Sequence, residues 1–193
     1  METQPSKFQK RPSASREDWI LATLNVLRER GIEGVKVVAI ARELGLTSGS
    51  FYWHFKNIQE LLDDVLEYWE HFQTEHIIDD VMKFQGPPGE RIKKLMHQVI
   101  AENASMPDSS VAVWAKSDAQ AALCFKRAMK KRFDFSTWLF EEAGFDHKEA
   151  EIRGRMMVIT LMGETTARLK DREDWEEILD GHWRVLMNGA SGD

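Results

Sequence analysis

Three features of the sequence predict an all-α fold. Apolar residues recur at i, i+3/i+4 spacing along most of the chain, capping residues precede most of these runs, and glycine or proline ends them. No segment keeps the strict alternation of a half-buried strand, and no internal repeat in the roughly 20–50-residue range appears.

About nine helices are expected. Residues 1–14, polar and containing Pro5 and Pro12, read as a flexible basic arm. Ser15 with Asp18 three positions later is an N-cap pair, and Ile20, Leu24 and Leu27 carry the first helix to Gly31. A short helix from Val37 to Leu44 stops at Gly45, and Thr47 is placed to cap a third, about 48–54. Asn57 with Glu60 opens a long amphipathic helix marked by Leu61, Leu62, Val65, Leu66, Trp69 and Phe72. Gly86-Pro87-Pro88-Gly89 is a break, with Pro88 suited to a helix's first turn. Beyond it come helices at about 89–105 and 109–116, then a long one from the Asp118 cap to Gly144. Asp146 with Glu149 caps a helix running to Lys170, and Asp171 is expected to cap the last.

The 193 residues, 42% of them hydrophobic, suffice for a packed core without staples. The single cysteine, Cys124, excludes an internal disulfide and so a disulfide-built secreted scaffold. Set mid-helix beside Leu123 and Phe125, it reads as a small buried hydrophobe. No apolar run nears the roughly 18–20 residues that span a bilayer, and no secretory signal is read at the N-terminus. A cytoplasmic protein without a membrane partner is expected. The net charge of −6 argues at first against nucleic acid. Residues 1–57, however, hold nine basic and six acidic side chains, a net of +3, which leaves −9 for the remainder. Such asymmetry points to a nucleic-acid-binding end.

The informative stretch is Val37-Val-Ala-Ile-Ala-Arg-Glu-Leu-Gly-Leu-Thr-Ser-Gly-Ser-Phe-Tyr-Trp-His-Phe55. Ala41 is small where two helices cross, and Gly45 supplies the positive φ of a tight turn. Ile40, Leu44, Leu46 and Phe51 are then placed to bury against the first helix. This is a helix-turn-helix pattern, whose second helix can enter a DNA major groove. With Gly31-Ile-Glu-Gly before it and Tyr52-Trp-His-Phe-Lys-Asn57…Leu61-Leu62 after it, the stretch resembles the TetR family of bacterial transcriptional regulators over residues 15–66. Trp114-Ala-Lys-Ser-Asp118 and Gly144-Phe-Asp…Ala150-Glu look like one common subgroup.

The resemblance implies a three-helix DNA-binding domain at 15–57 and a helical effector-binding and dimerisation domain at 58–193. It places Ser48, Gly49, Ser50, Tyr52, Trp53 and His54 toward the major groove. Ser50 and His54 can hydrogen-bond base edges or phosphates, and Trp53 can pack on a thymine methyl. Tyr52, Thr47, Lys36 and Lys56 are the expected backbone contacts. Two positions depart from the family: Lys36 stands where a capping Thr is usual, and Ile58 where a helix-four lysine is usual. Lys7, Lys10, Arg11 or Arg16 would compensate for the latter on phosphate.

The second domain is rich in soft and aromatic side chains, among them Phe125, Met157 and Met162, which suit core packing and an apolar effector site alike. The candidate effector residues are Trp69, Phe72, Met96, Trp114, Met129, Phe133, Trp138 and Met156. Ile152, Ile159 and Gly163 of one helix, with Trp175, Leu179, Trp183 and Leu186 of the last, are the candidate dimer contacts. A two-fold dimer would read a palindromic duplex with half-sites about 34–36 Å or more apart. None of the six histidines follows a Glu at i−3, and no catalytic or phosphate-binding motif occurs, so no metal, cofactor or enzymatic activity is expected. The alternative is a helical small-molecule-binding protein or enzyme whose N-terminal module no longer binds DNA.

Overall fold

A computed structural model describes residues 14–189, and all regular structure among these is helical. The arm expected at 1–14 lies outside the described residues apart from Ala14. Helix α1 (Arg16–Arg30) begins at a reciprocal capping box: the Asp18 amide donates to the Ser15 hydroxyl, and the Ser15 amide donates to the Asp18 carboxylate at 2.7 Å. Gly31 ends it at φ +65°, where a side chain would be strained. A 3-10 turn (Ile32–Gly34) leads into α2 (Val37–Glu43) and α3 (Ser48–Phe51). Helix α4 (Ile58–Glu70), a π segment (His71–Glu75) and α5 (His76–Met82) then form one continuous rod. Beyond the Gly-Pro-Pro-Gly break lie α6 (Pro88–Ala101), α7 (Asp108–Trp114), α8 (Ala119–Glu142), α9 (His147–Thr166) and α10 (Trp175–Met187). With the rod counted once, the described residues make nine helices, the expected number.

Most expected caps form. The Asn57 side chain accepts from the Glu60 amide, Asp118 from Ala121, and Asp146 from Lys148 and Glu149. Three local expectations are corrected. Thr47 precedes α3, but its hydroxyl lies 3.3 Å from the Ser50 hydroxyl and caps no amide. Helix α3 ends at Phe51 because the Phe51 carbonyl takes both the His54 and Phe55 amides, so Tyr52 to His54 continue as turn. Asp171 caps nothing: its carboxylate is taken by Arg168 at 2.7 Å inside a 3-10 turn, and α10 starts four residues later behind Asp174.

Two apolar cores hold these helices. The first joins Trp19, Leu27, Ile40, Phe51 and Phe55 to Leu61, Val65 and Trp69 of α4, and to Trp114 and Cys124 of α7 and α8. The second joins α5 and α6 to the distal half of α8, α9 and α10 through Val81, Ile92, Met96, Phe140, Met157 and Leu179. Each large side chain removed from water contributes about 1.5–3 kcal/mol. Helix α4 is thus packed into the N-terminal core, while its continuation α5 is packed into the second. Helices α8 and α9 pack closely at Gly154, where a Cβ would lie 2.9 Å from the Thr137 nitrogen.

Candidate nucleic-acid interface

The turn between α2 and α3 is built as the spacing requires. Gly45 has φ +65°, its amide bonds the Arg42 carbonyl, and the Leu46 amide bonds the Ala41 carbonyl at 2.8 Å. Ile40 and Ala41 are buried, and Leu44 and Leu46 pack against the same core half-exposed. Phe51 and Phe55, one helical turn apart, stack on each other with centroids 5.3 Å apart, and Trp19 meets Phe51 edge-on at 5.5 Å. The residues between them therefore point outward. Tyr52 is 67% exposed and Trp53 is 88% exposed. Thr47 and Gly49 are exposed, and Ser48, Ser50 and His54 are half-exposed on the same surface. Lys36, Arg42 and Lys56 are exposed nearby, and none of the three forms an ion pair among the described residues. At Lys36 no side chain caps α2.

Arg16 does something the sequence did not disclose. Its Nε donates to Asp64 at 2.6 Å and its Nη2 to Glu60 at 2.9 Å, while Nη1 donates to the His54 carbonyl. The guanidinium lies 4.2 Å from the Phe55 ring centroid. The Asp64 bond leads in raising its pKa. Glu60 in turn accepts the Lys56 amide at 2.8 Å, and that bond, followed by Arg16, holds its carboxyl below the usual range. Arg16 therefore braces α4 against the outer turn after α3 and, though its side chain is 42% exposed, is engaged by the protein's own groups, where the sequence had it reaching for phosphate.

The candidate effector residues scatter. A small, partly open cavity of about 50 Å³ lies between the rod, α6, α8 and α9, lined by Thr74, Ile77, Leu95, Phe135, Met157, Leu161 and their neighbours. None of the eight lines it. Trp69, Met96 and Trp114 are fully packed in the cores, and Met156 is exposed on α9. Met129 and Phe133 line an open groove on the outside of α8 and α9. Phe72 lines another groove beside α1, and Trp138 stacks on Phe135. Helical periodicity gives a face to each residue but does not say which face meets a void, and Met157 and Met162 were indistinguishable from Met156 on that basis.

Two ionic clusters, also unforeseen, tie α8 to the rod. Asp108, only 1% exposed, accepts from Trp69 Nε1 at 3.0 Å and from both terminal nitrogens of Arg132 at 2.5 and 3.2 Å. Arg132 also donates to the Thr74 hydroxyl and to the Gln73 carbonyl, a backbone group the π segment presents sideways. Glu70, just before the π segment, is held at about pKa 2 chiefly by Arg127, with Lys131 adding to it against the cost of burial. Beside it, burial and then the Glu70 charge push the Cys124 thiol up to about 12, so it stays protonated.

Of the dimer candidates, Ile152, Ile159 and Gly163 are exposed on α9, with Met156 between them and Val185 of α10 also exposed. The α10 residues lie mostly inward, Trp175 and Trp183 half-buried. Leu179 and Leu186 are buried within the protomer, Trp183 donates to the Gly89 carbonyl at 2.9 Å, and Trp175 packs beside His97. Their stripe faces α6, because the chain reverses through the 3-10 turn and lays α10 back on its own second core.

A buried two-helix turn with an outward aromatic edge, carried on a rod that enters a larger helical body, defines a helix-turn-helix protein of two cores. Residues 20–65 match the profile described as bacterial regulatory proteins, tetR family. Over that segment the chain is similar to the family. It is 43% identical over 49 residues to the tetracycline repressor protein class D of Escherichia coli, a match covering 25% of this chain and 22% of that protein. The curated relatives it matches are spanned over less than half their length. The fold is similar to that of a transcriptional regulator from Rhodococcus sp. Rha1, with TM-score 0.72, 20% identity, and 93% and 100% of the two chains covered. It is also similar to FadR from Bacillus subtilis in complex with stearoyl-CoA, with TM-score 0.64, 18% identity, and 91% and 99% covered.

Proposed function

We propose that the chain is a DNA-binding transcriptional repressor, not an enzyme, that acts as a cytoplasmic homodimer on a palindromic operator and is released by a small apolar effector. The observation that carries this reading is the outer edge after α3. Trp53 stands almost free in solvent and Tyr52, edge-on to Phe51, is largely exposed, while Phe51 and Phe55 on either side are locked in the core. A soluble domain gains nothing from a tryptophan held out in this way unless a partner covers it. Ser48, Gly49, Ser50, Trp53 and His54 meet base edges, and Lys36, Thr47, Tyr52 and Lys56 meet phosphate. The stripe Ile152, Met156, Ile159 and Gly163 on α9, with Val185, pairs with its two-fold copy. Residues 15–57 act as the reader and 58–193 as the sensing and dimerising body.

The rod supplies a physical route between the two. Arg16 fixes its first turns to the outer edge of the reader, and its π segment lines the cavity. A ligand alters operator binding only if it binds better to the state in which the two readers are wrongly spaced. Selection of duplex fragments from the source genome tests the reading. Enrichment of one near-palindrome, with affinity falling steeply as salt rises, is the expected result. No enrichment at low salt, or an unchanged affinity in Tyr52→Ala, overturns it.

A further inference from the structure

From Leu44 to Phe55 the chain holds no Arg, Lys, Asn, Gln, Asp or Glu. The outward face of α3 and the turn after it therefore carries small hydroxyls, Gly49 and an aromatic edge that ends at His54. The side chains that grip a base through two hydrogen bonds are Arg or Lys on guanine and Asn or Gln on adenine. This face has none of them. Its hydroxyls are short, and those of Thr47 and Ser50 already lie 3.3 Å apart. Lys36, Arg42 and Lys56 flank the face, but a cation set on phosphate positions a protein without reading sequence. What remains to tell one duplex from another is shape and apolar contact. Trp53, at 88%, is the most exposed large apolar side chain among the described residues. Gly49 is not demanded by the fold: its φ lies outside the left-handed region, and a Cβ there would meet only the Thr47 hydroxyl, at an ordinary 3.8 Å. The glycine thus lowers the outer surface instead of relieving the core. An indole standing proud of such a face suits an apolar group that projects into the major groove. The thymine C5 methyl is that group.

We propose that the reader tells its operator from other duplexes chiefly by thymine methyl groups, one in each half-site packed against the Trp53 indole. The proposal rests on the reading of the chain as a palindrome-binding regulator and adds the base feature that the palindrome must carry. Contacts to guanine are secondary on this face. His54 and the serines can each offer a guanine only a single hydrogen bond. The His54 ring also leans toward Phe55, with centroids 6.5 Å apart, and its carbonyl is held by Arg16.

The test uses the full chain and the duplex enriched from the source genome, with affinity read by fluorescence anisotropy at one fixed, low salt concentration. Each thymine position is changed to deoxyuridine in both half-sites together, which removes the methyl and keeps every hydrogen-bonding group. At one position affinity should fall about sixteenfold, about fourfold for each methyl of the pair. At that position 5-methylcytosine should bind tighter than cytosine by about the same factor. Trp53→Ala should bind the thymine and deoxyuridine duplexes alike, and Trp53→Phe, which keeps an aromatic face, should restore part of the difference. Both variants should unfold at the wild-type midpoint, because the indole lies outside the core. Three results overturn the proposal while the regulator reading stands. They are a deoxyuridine effect below about twofold at every position, an undiminished thymine preference in Trp53→Ala, and a 7-deazaguanine change more damaging than any deoxyuridine. Failure to bind any duplex overturns the regulator reading itself, and the proposal with it.

Discussion

Asp108→Asn removes one charge from the buried pair that joins α7, α8 and the rod, and its cost follows from the contacts left behind. Breaking a buried ion pair by deleting one partner costs roughly 3–5 kcal/mol, because the other charge stays buried and uncompensated. Here the loss is cushioned. Asparagine keeps a carbonyl oxygen for Trp69 Nε1, and Arg132, 11% exposed, keeps Thr74 and the Gln73 carbonyl. The lower end, about 3 kcal/mol, is therefore expected, a large share of a typical total of about 5–15 kcal/mol. Urea unfolding followed by far-ultraviolet circular dichroism measures it, at one fixed protein concentration because the stability of the proposed dimer would depend on it. With a slope of about 2–3 kcal/mol per molar, the midpoint falls by about 1–1.5 M with the slope unchanged. Arg132→Met added to Asp108→Asn removes the orphaned cation, so the double variant should be more stable than the single. A midpoint shift under about 0.3 M, or a double variant weaker than Asp108→Asn, would refute the electrostatic reasoning.

Three further outcomes are expected. Arg16→Gln should weaken operator binding yet leave the salt slope unchanged, because the guanidinium is committed to Asp64, Glu60 and the His54 carbonyl; Lys56→Gln should lower that slope by about 0.9. Gly154→Ala forces backbone apart where α8 and α9 touch, and should lower stability by about 1–3 kcal/mol, read as a lower unfolding midpoint. Glu70, held at about pKa 2 by Arg127 and Lys131, contributes stability that is complete above its ordinary value of 4.5 and is lost as pH falls toward 2. The unfolding-midpoint gap between wild type and Glu70→Gln should therefore be constant from pH 7 to 5 and shrink below pH 4.

Features encoded over a few neighbouring residues were legible in the sequence. The caps at Ser15, Asn57, Asp118 and Asp146 each join a side chain to an amide two or three positions on, and the Ala41-Gly45-Phe51 offsets mark a turn whose geometry is local. Partners far apart in the chain were not legible. Arg16 reads as one more base in a basic stretch, and only folding sets it against residues 38 to 48 positions away. Asp108 and Arg132 look like solvated charges until α7 and α8 are packed on the rod. The stripe on α10 showed an apolar face truly, yet periodicity has no means of naming the neighbour, and α6 claims it. Cavity residues are the hardest case, since a void is a property of helix positions rather than of any side chain.

The separation between Phe51 and Phe55, which hold the fold, and Trp53, which touches almost nothing of it, bears on how such a protein changes over generations. Substitutions at Ser48, Gly49, Ser50 or Trp53 fall on surface that the core does not rely on, so most should leave folding nearly unaltered. On the proposed reading, a new operator can therefore be acquired by drift across the exposed edge without passing through an unfolded intermediate. The cavity has no such licence: Thr74 and Arg132 both line it and hold the rod in place, so a new ligand preference must be found while the scaffold is kept standing.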